Sequence, residues 1–230
     1  MKNKIILSSL LSILLFHTSF LEANTQQKAY TASVVPKHMS VQEKKQRFFA
    51  LLVPAVDKVY KELEKQYEET KELLKKDPKN PKIEALMKSY HAKDSQDLLM
   101  RLKPHPRSIA LAQSAMESAW GTSRFMRVAN NIFGVWSFNK HEPRVAAAKK
   151  RGNKTIYVKK YASITDSVRD YYKILATKKA FKEFRKHKMQ TDDPYTLVKY
   201  LNHYSERGAA YGKELASMIR HNKLTKYDKD

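Results

Sequence analysis

The first 120 residues contain no glycine, and all five glycines of this 230-residue chain fall between Gly121 and Gly212. Left-handed backbone favours glycine, so the chain divides into a front that reads as uninterrupted helix and a later part that makes tight turns. In the front, Phe48, Phe49, Leu51, Leu52, Val53, Val56, Val59, Tyr60 and Leu63 recur at spacings of three and four. That period predicts one amphipathic helix over residues 42–76, with Pro54 marking a kink or a break. Pro81 opens a second helix to about residue 92, and a third covers 96–102. Pro104 and Pro106 set up a helix over 108–118, whose apolar face is Ile109, Ala110, Ala112, Ala115 and Met116. Between residues 135 and 160 the helical period is lost, and residues 155–161 (TIYVKKY) have strand-like content, which predicts a small β-hairpin lobe. Ser163 and Asp166 form a capping box for a helix to about residue 175, and further helices are expected over 179–187, 194–202 and 208–222. The fold class is mainly α, of the α+β kind: a helical core over residues 104–226, a hairpin lobe, and an N-terminal helical extension over 41–103.

Residues 1–23 read as a signal peptide: Lys2 and Lys4 precede an apolar run from Ile5 to Phe16, and Ala23 offers a small residue for cleavage. An uncleaved anchor is the competing reading, because the apolar stretch is only slightly short of a span. Residues 24–40 are polar and read as a flexible linker. The formal charge is +22, and +21 without residues 1–23, which carry two lysines and one glutamate. Such a chain seeks anionic partners. Export removes nucleic acid as the natural one and leaves acidic wall polymer and bilayer surface, with no membrane span expected after cleavage. The absence of cysteine excludes disulfides and thiolate metal sites.

Residues 111–136 (LAQSAMESAWGTSRFMRVANNIFGVW) hold both tryptophans and two of the five glycines. Glu117 stands there at a helix end among Ala115, Met116, Ala119 and Trp120, an apolar setting that raises a carboxyl's pKa toward that of a general acid. A glutamate near a helix end is by itself usually a solvated surface residue. None of the eight histidines has metal-ligand spacing, no loop is built to cradle phosphate, and no GxSxG elbow surrounds a serine. No metal and no cofactor are expected.

The surrounding motif decides between the two readings of Glu117. Gln113, the run from Glu117 to Phe125, and Ala129-Asn130-Asn131-Ile132-Phe133-Gly134 resemble the glucosaminidase superfamily of peptidoglycan hydrolases, glycoside hydrolase family 73, and its Bax-type branch in Gram-negative bacteria. Tyr161, Asp166-Ser167-Val168-Arg169, Tyr204-Ser205-Glu206-Arg207-Gly208, Tyr211 and Glu214-Leu215 extend the likeness, which runs from about residue 106 to 224.

The resemblance implies a lysozyme-like core that cuts the β-1,4 bond after N-acetylglucosamine, with Glu117 as general acid and Tyr204 closing the cleft opposite it. It places Gln113, Trp120, Asn130, Asn131, Phe133 and Trp136 on the substrate groove, where amides read sugar groups and aromatic faces stack on rings. It also implies a periplasmic, wall-associated protein. Where the branch tends to carry His-Glu-Val, this chain reads Ile156-Tyr157-Val158, so the second carboxylate is missing from its usual place. Glu142, the only acidic residue between Glu117 and Asp166, is the default candidate; its competing reading is a solvated loop residue. A substrate-assisted route, with Tyr157 or Tyr204 positioning the N-acetyl group, is the alternative. A lytic transglycosylase or muramidase, a non-catalytic wall binder, and a protein partner taken by the N-terminal helices are also open at this stage.

Overall fold

A computed structural model describes residues 30–229, with side chains 149–151 of the hairpin left out. The proposed signal peptide lies outside the described residues. The linker segment is described from residue 30, where it is irregular up to the first helix.

Helix α1 spans Val41–Lys76 and runs through Pro54 without a break. Ser40 and Glu43 close a capping box at its start, with bonds of 2.8 and 3.2 Å between side chain and backbone in each direction. That box satisfies amide donors that a helix start leaves free. Helices α2 (Pro81–Tyr90) and α3 (Ser95–Leu102) fold back on the distal half of α1 and form a small cluster with Ile83, Tyr90, Leu98 and Leu102 buried. The proximal half of α1 belongs to the main core: Phe48, Leu52, Val56 and Val59 are buried there against α4 (Arg107–Glu117) and α6 (Ile164–Thr177). Each such side chain contributes about 1.5–3 kcal/mol of burial. Because this face is spent on the core, the expectation of a partner surface on the front helices finds no support.

Helix α4 is buried from Arg107 through Ala115 on every side, as expected of a helix at the centre of a core. Its small residues, Ser108, Ala110, Ala112, Ser114 and Ala115, let its neighbours approach closely. The continuous burial ends at Ala115, and Met116 and Glu117 in the last positions of the helix are half-buried. A short helix α5 (Arg124–Ala129), capped by Ser123, follows. The sequence period does not reveal it, since six residues are under two turns.

Strands β1 (Arg144–Arg151) and β2 (Lys154–Lys159) form an antiparallel hairpin, in register at Val145–Val158 and Ala146–Tyr157, with an irregularity before Lys150. Trp136 bridges to Val158, which fastens the chain leaving the motif to the lobe. The later helices are shorter than the sequence suggests: α7 is Lys182–His187, α8 is Pro194–Leu197, each joined to a 3-10 turn, and α9 is Ala209–His221. Gly212 explains how α9 sits so close to that last turn. A Cβ there would lie 2.7 Å from the Val198 carbonyl oxygen. The architecture is therefore mainly helical, with one two-stranded lobe among the described residues. No described helix is long and apolar enough to cross a membrane.

Candidate functional site

Glu117 ends α4, and the backbone beyond it turns left-handed at three successive residues, Ala119 (φ 50), Trp120 (φ 60) and Gly121 (φ 75). A left-handed residue with a side chain costs about 1–2 kcal/mol, so this turn persists only because others hold it. The Trp120 amide donates to Ala115 O at 2.8 Å, and the Gly121 amide donates to Ser118 Oγ at 2.8 Å. The helix thus stops abruptly, and Glu117 is left half-buried at the edge of the core.

Four side chains are linked in one direction toward it. Tyr171 Oη, from α6, donates to Gln113 Oε1 at 2.6 Å; Gln113 Nε2 donates to Tyr211 Oη at 3.0 Å; Tyr211, from α9, donates to Glu117 Oε1 at 2.9 Å. With Glu117 ionised, the sense of this chain is fixed. A hydroxyl has one proton, so if Gln113 were reversed, Tyr211 would give its proton to Gln113 and have none for Glu117. Tyr171 and Tyr211 are fully buried, and burial pushes both hydroxyls up, out of reach of ionisation. The ionised carboxyl's Oε1 is therefore met by a donor, which leaves Oε2 for an incoming proton.

Burial raises the Glu117 pKa; the Tyr211 donation and the Arg207 guanidinium, 3.9 Å away, pull it down, and Glu214 pushes it up. Desolvation wins, and the net direction is upward. Arg207 is tied in turn to Glu214, one turn along α9 from Tyr211. Tyr204 lies parallel to Tyr211, with rings 5.6 Å apart and 6° between planes, and its hydroxyl is raised by burial and by the nearby Glu117.

The other residues expected on the groove divide into two groups. Asn131 is 1% exposed; its amide donates to Val135 O and Lys159 O, and its oxygen accepts from the Val135 amide. Asn130 caps α5 in a left-handed conformation and donates to Tyr161 O and Ala162 O. Phe133 is buried, stacked on Tyr171 at 4.0 Å. The side-chain N–H groups of both asparagines are thus already donated to backbone carbonyls, so the expected reading of sugar by these amides has no free donor behind it. Trp120 packs edge-on against Phe48 and Phe49 of α1, with Lys45 over its ring at 4.9 Å. It lines a cavity of about 460 Å³ together with Met116, Glu214 and Met218. Trp136, 41% exposed, stands beside Phe138, 86% exposed, on the hairpin side, where Arg144 covers the Tyr157 ring at 4.0 Å.

Glu142 lies with that hairpin, as one of two carboxylates around Lys159. Its Oε1 accepts from Ser137 Oγ at 2.7 Å and its Oε2 is 4.0 Å from Lys159 Nζ. Asp170 accepts from Lys159 at 2.9 Å and from the Tyr161 hydroxyl at 2.7 Å. Sequence reasoning gave no role to Asp170, Lys159, Tyr211 or Arg207. The i, i+3 and i+4 spacing of Tyr211, Glu214 and Leu215 was the available signal for an α9 face turned to the site. A separate cavity of about 590 Å³ opens between α1, α2, α3 and α6, without Glu117 in its wall. His105 in its lining is held near 3 by burial and by Lys188, so it stays neutral. No cluster of three or more metal-ligating side chains occurs among the described residues.

A model of the glucosaminidase family, described as mannosyl-glycoprotein endo-beta-N-acetylglucosaminidase, matches residues 92–224. Protein bax of Escherichia coli (strain K12) is 32% identical over 131 residues, which are 54% of this chain and 46% of that protein. The chain thus spans about half the length of this curated relative. Two solved structures are similar at lower identity. One is a peptidoglycan hydrolase mutant from Sphingomonas sp. A1, at 16% identity and TM-score 0.49, covering 79% of this chain and 97% of that one. The other is the catalytic domain of the autolysin Auto from Listeria monocytogenes, at 19% and 0.44, covering 84% and 100%.

Proposed function

The chain belongs to the glucosaminidase family of glycoside hydrolases, and on that premise we propose that it is an exported peptidoglycan hydrolase that cuts the β-1,4 bond on the reducing side of N-acetylglucosamine. Glu117 is the general acid. The observation that carries this reading is the directed chain from Tyr171 through Gln113 and Tyr211 onto Glu117 Oε1. Burial keeps the carboxyl protonated to higher pH, and the free Oε2 presents the proton to the leaving oxygen as an oxocarbenium-like state forms. Once the proton has gone, the Tyr211 hydroxyl and Arg207 stabilise the carboxylate. One geometry therefore serves both halves of the transfer.

The hairpin side supplies Glu142 as the second carboxylate, beside Lys159 and Ser137. Both of its oxygens face these partners, which favours as a second reading the substrate-assisted route, with the N-acetyl oxygen attacking the anomeric carbon and Tyr204 or Tyr157 positioning it. Trp136 and its exposed ring suit a sugar face. The basic surface holds the enzyme on anionic wall polymer in the periplasm.

Digestion of purified sacculi by the wild type and by Glu117→Gln tests the proposal. Mass spectrometry should find reducing N-acetylglucosamine ends with the wild type and none above background with the variant. Anhydro-N-acetylmuramic ends would indicate a transglycosylase, and no released product would leave a wall binder.

A further inference from the structure

Arg47 is 1% exposed on α1 and has no carboxylate partner among the described residues. Its Nη1 donates to the Gly121 carbonyl at 2.9 Å. Its Nη2 faces three carbonyls of the segment before α1, Thr31 at 2.6 Å, Ala32 at 3.2 Å and Val34 at 3.0 Å, while Nε has no partner. Burying a guanidinium among neutral carbonyls is costly, so this arrangement needs a reason beyond packing.

The reason lies in what the Gly121 carbonyl belongs to. It closes the left-handed run Ala119-Trp120-Gly121, the strained turn that directly follows Glu117. The other hydrogen bonds on that turn, Trp120 to Ala115 and Gly121 to Ser118, are local, and Trp120 meets α1 only through ring contacts with Phe48 and Phe49 and the Lys45 ammonium. Arg47 does so from α1. Gly121 has no room to compensate: a Cβ would meet Met126 Sδ at 3.1 Å and Arg47 Nη1 at 3.4 Å. Only a guanidinium offers donors in a rigid fork able to span Gly121 on one side and residues 31–34 on the other.

We infer that Arg47 is a positioning residue for Glu117, and that residues 31–34, gathered on the same guanidinium, are part of the scaffold of the acid. The inference rests on the glycosidase reading for its kinetic consequence but not for its structural one. A lysine at 47 reaches one carbonyl group or the other, so the turn relaxes and the acid moves by a fraction of an ångström. A 1 Å misplacement costs about a hundredfold, so a drop of about tenfold is expected.

The test uses Arg47→Lys and Arg47→Gln in the full chain, with and without Ala119→Gly, which removes the side-chain penalty at one left-handed position. With soluble glycan chains, either Arg47 substitution should lower kcat about tenfold while KM stays within about twofold, and Ala119→Gly should recover most of the loss. In a Trp136→Phe background Trp120 is the sole tryptophan. Its emission should shift to the red with Arg47→Lys and return with Ala119→Gly. Folded Arg47 variants with wild-type kcat and unshifted emission would overturn the inference, as would a loss that Ala119→Gly does not recover. Loss of the fold with both substitutions would make Arg47 a folding residue and overturn it too. If the wild type cuts nothing, the glycosidase reading fails, and the Trp120 emission still decides the role of Arg47.

Discussion

The two carboxylates proposed for the reaction, Glu117 and Glu142, have different surroundings. Glu117 is surrounded by buried tyrosines and one guanidinium at 3.9 Å, and desolvation sets its direction. Glu142 and Asp170 share a lysine on the hairpin, where ammonium and hydroxyl donors face them at 2.7 to 4.0 Å. Burial raises the carboxyl's pKa at Glu117, and the neighbouring Arg207 guanidinium opposes that rise without reversing it. The lesson is that different layers build the two groups: α4 with α6 and α9 builds the surroundings of Glu117, and the hairpin with α6 builds those of Glu142 and Asp170.

Substitutions test that asymmetry, beginning with the acid itself. Glu117→Gln should lower kcat by about 10³-fold with KM nearly unchanged, in steady-state assays on soluble glycan, since general acid catalysis supplies roughly 10² to 10⁴. Glu142→Gln should cost about 100-fold on the same glycan if the hairpin carboxylate completes the pair; a loss under about fivefold transfers that role to the substrate's N-acetyl group. Tyr211→Phe should cost about tenfold and shift the basic limb of the pH–rate profile upward, because Tyr211's donation pulls the Glu117 pKa down and its removal lets burial act unopposed. Arg207 and Glu214 on the α9 side and Tyr204 remain facing Glu117 in that variant, so the shift isolates the one hydrogen bond.

The smallest effect is on stability and has the opposite sign to the loss of activity. A carboxyl whose folded pKa is raised binds its proton more tightly folded than unfolded, so it weakens the fold as pH rises above its ordinary value. Glu117→Gln should therefore raise Tm at neutral pH. The difference should vanish in calorimetric scans below the ordinary glutamate pKa.

The sequence made the α1 period, the Ser163 cap, the hairpin and Glu117 at its helix end legible, because each is written in adjacent residues, although Asp166 takes the Ser163 hydroxyl and not the backbone N–H a capping box would use. Of the kink or break read at Pro54, the break does not occur, since tertiary contacts along α1 outweigh one lost helical bond. The inward turn of Asn130 and Asn131 was not legible: a side-chain amide gives no sign in the sequence of whether its donors meet sugar or backbone. Nor was the Arg47 cage, whose acceptors are carbonyls 13 to 74 residues away and leave no mark on side-chain identity. The same holds for Asp170, which is brought to Lys159 by the strand-to-helix connection and not by spacing.

The claim that burial and a one-way chain of hydroxyls make Glu117 the acid is tested most directly by titrating its carboxyl carbon by ¹³C NMR, with the resonance assigned through Glu117→Gln. The account predicts a midpoint above that of an ordinary glutamate, moving higher still in Tyr211→Phe. A midpoint at or below the ordinary value, or a downward move in Tyr211→Phe, would contradict it.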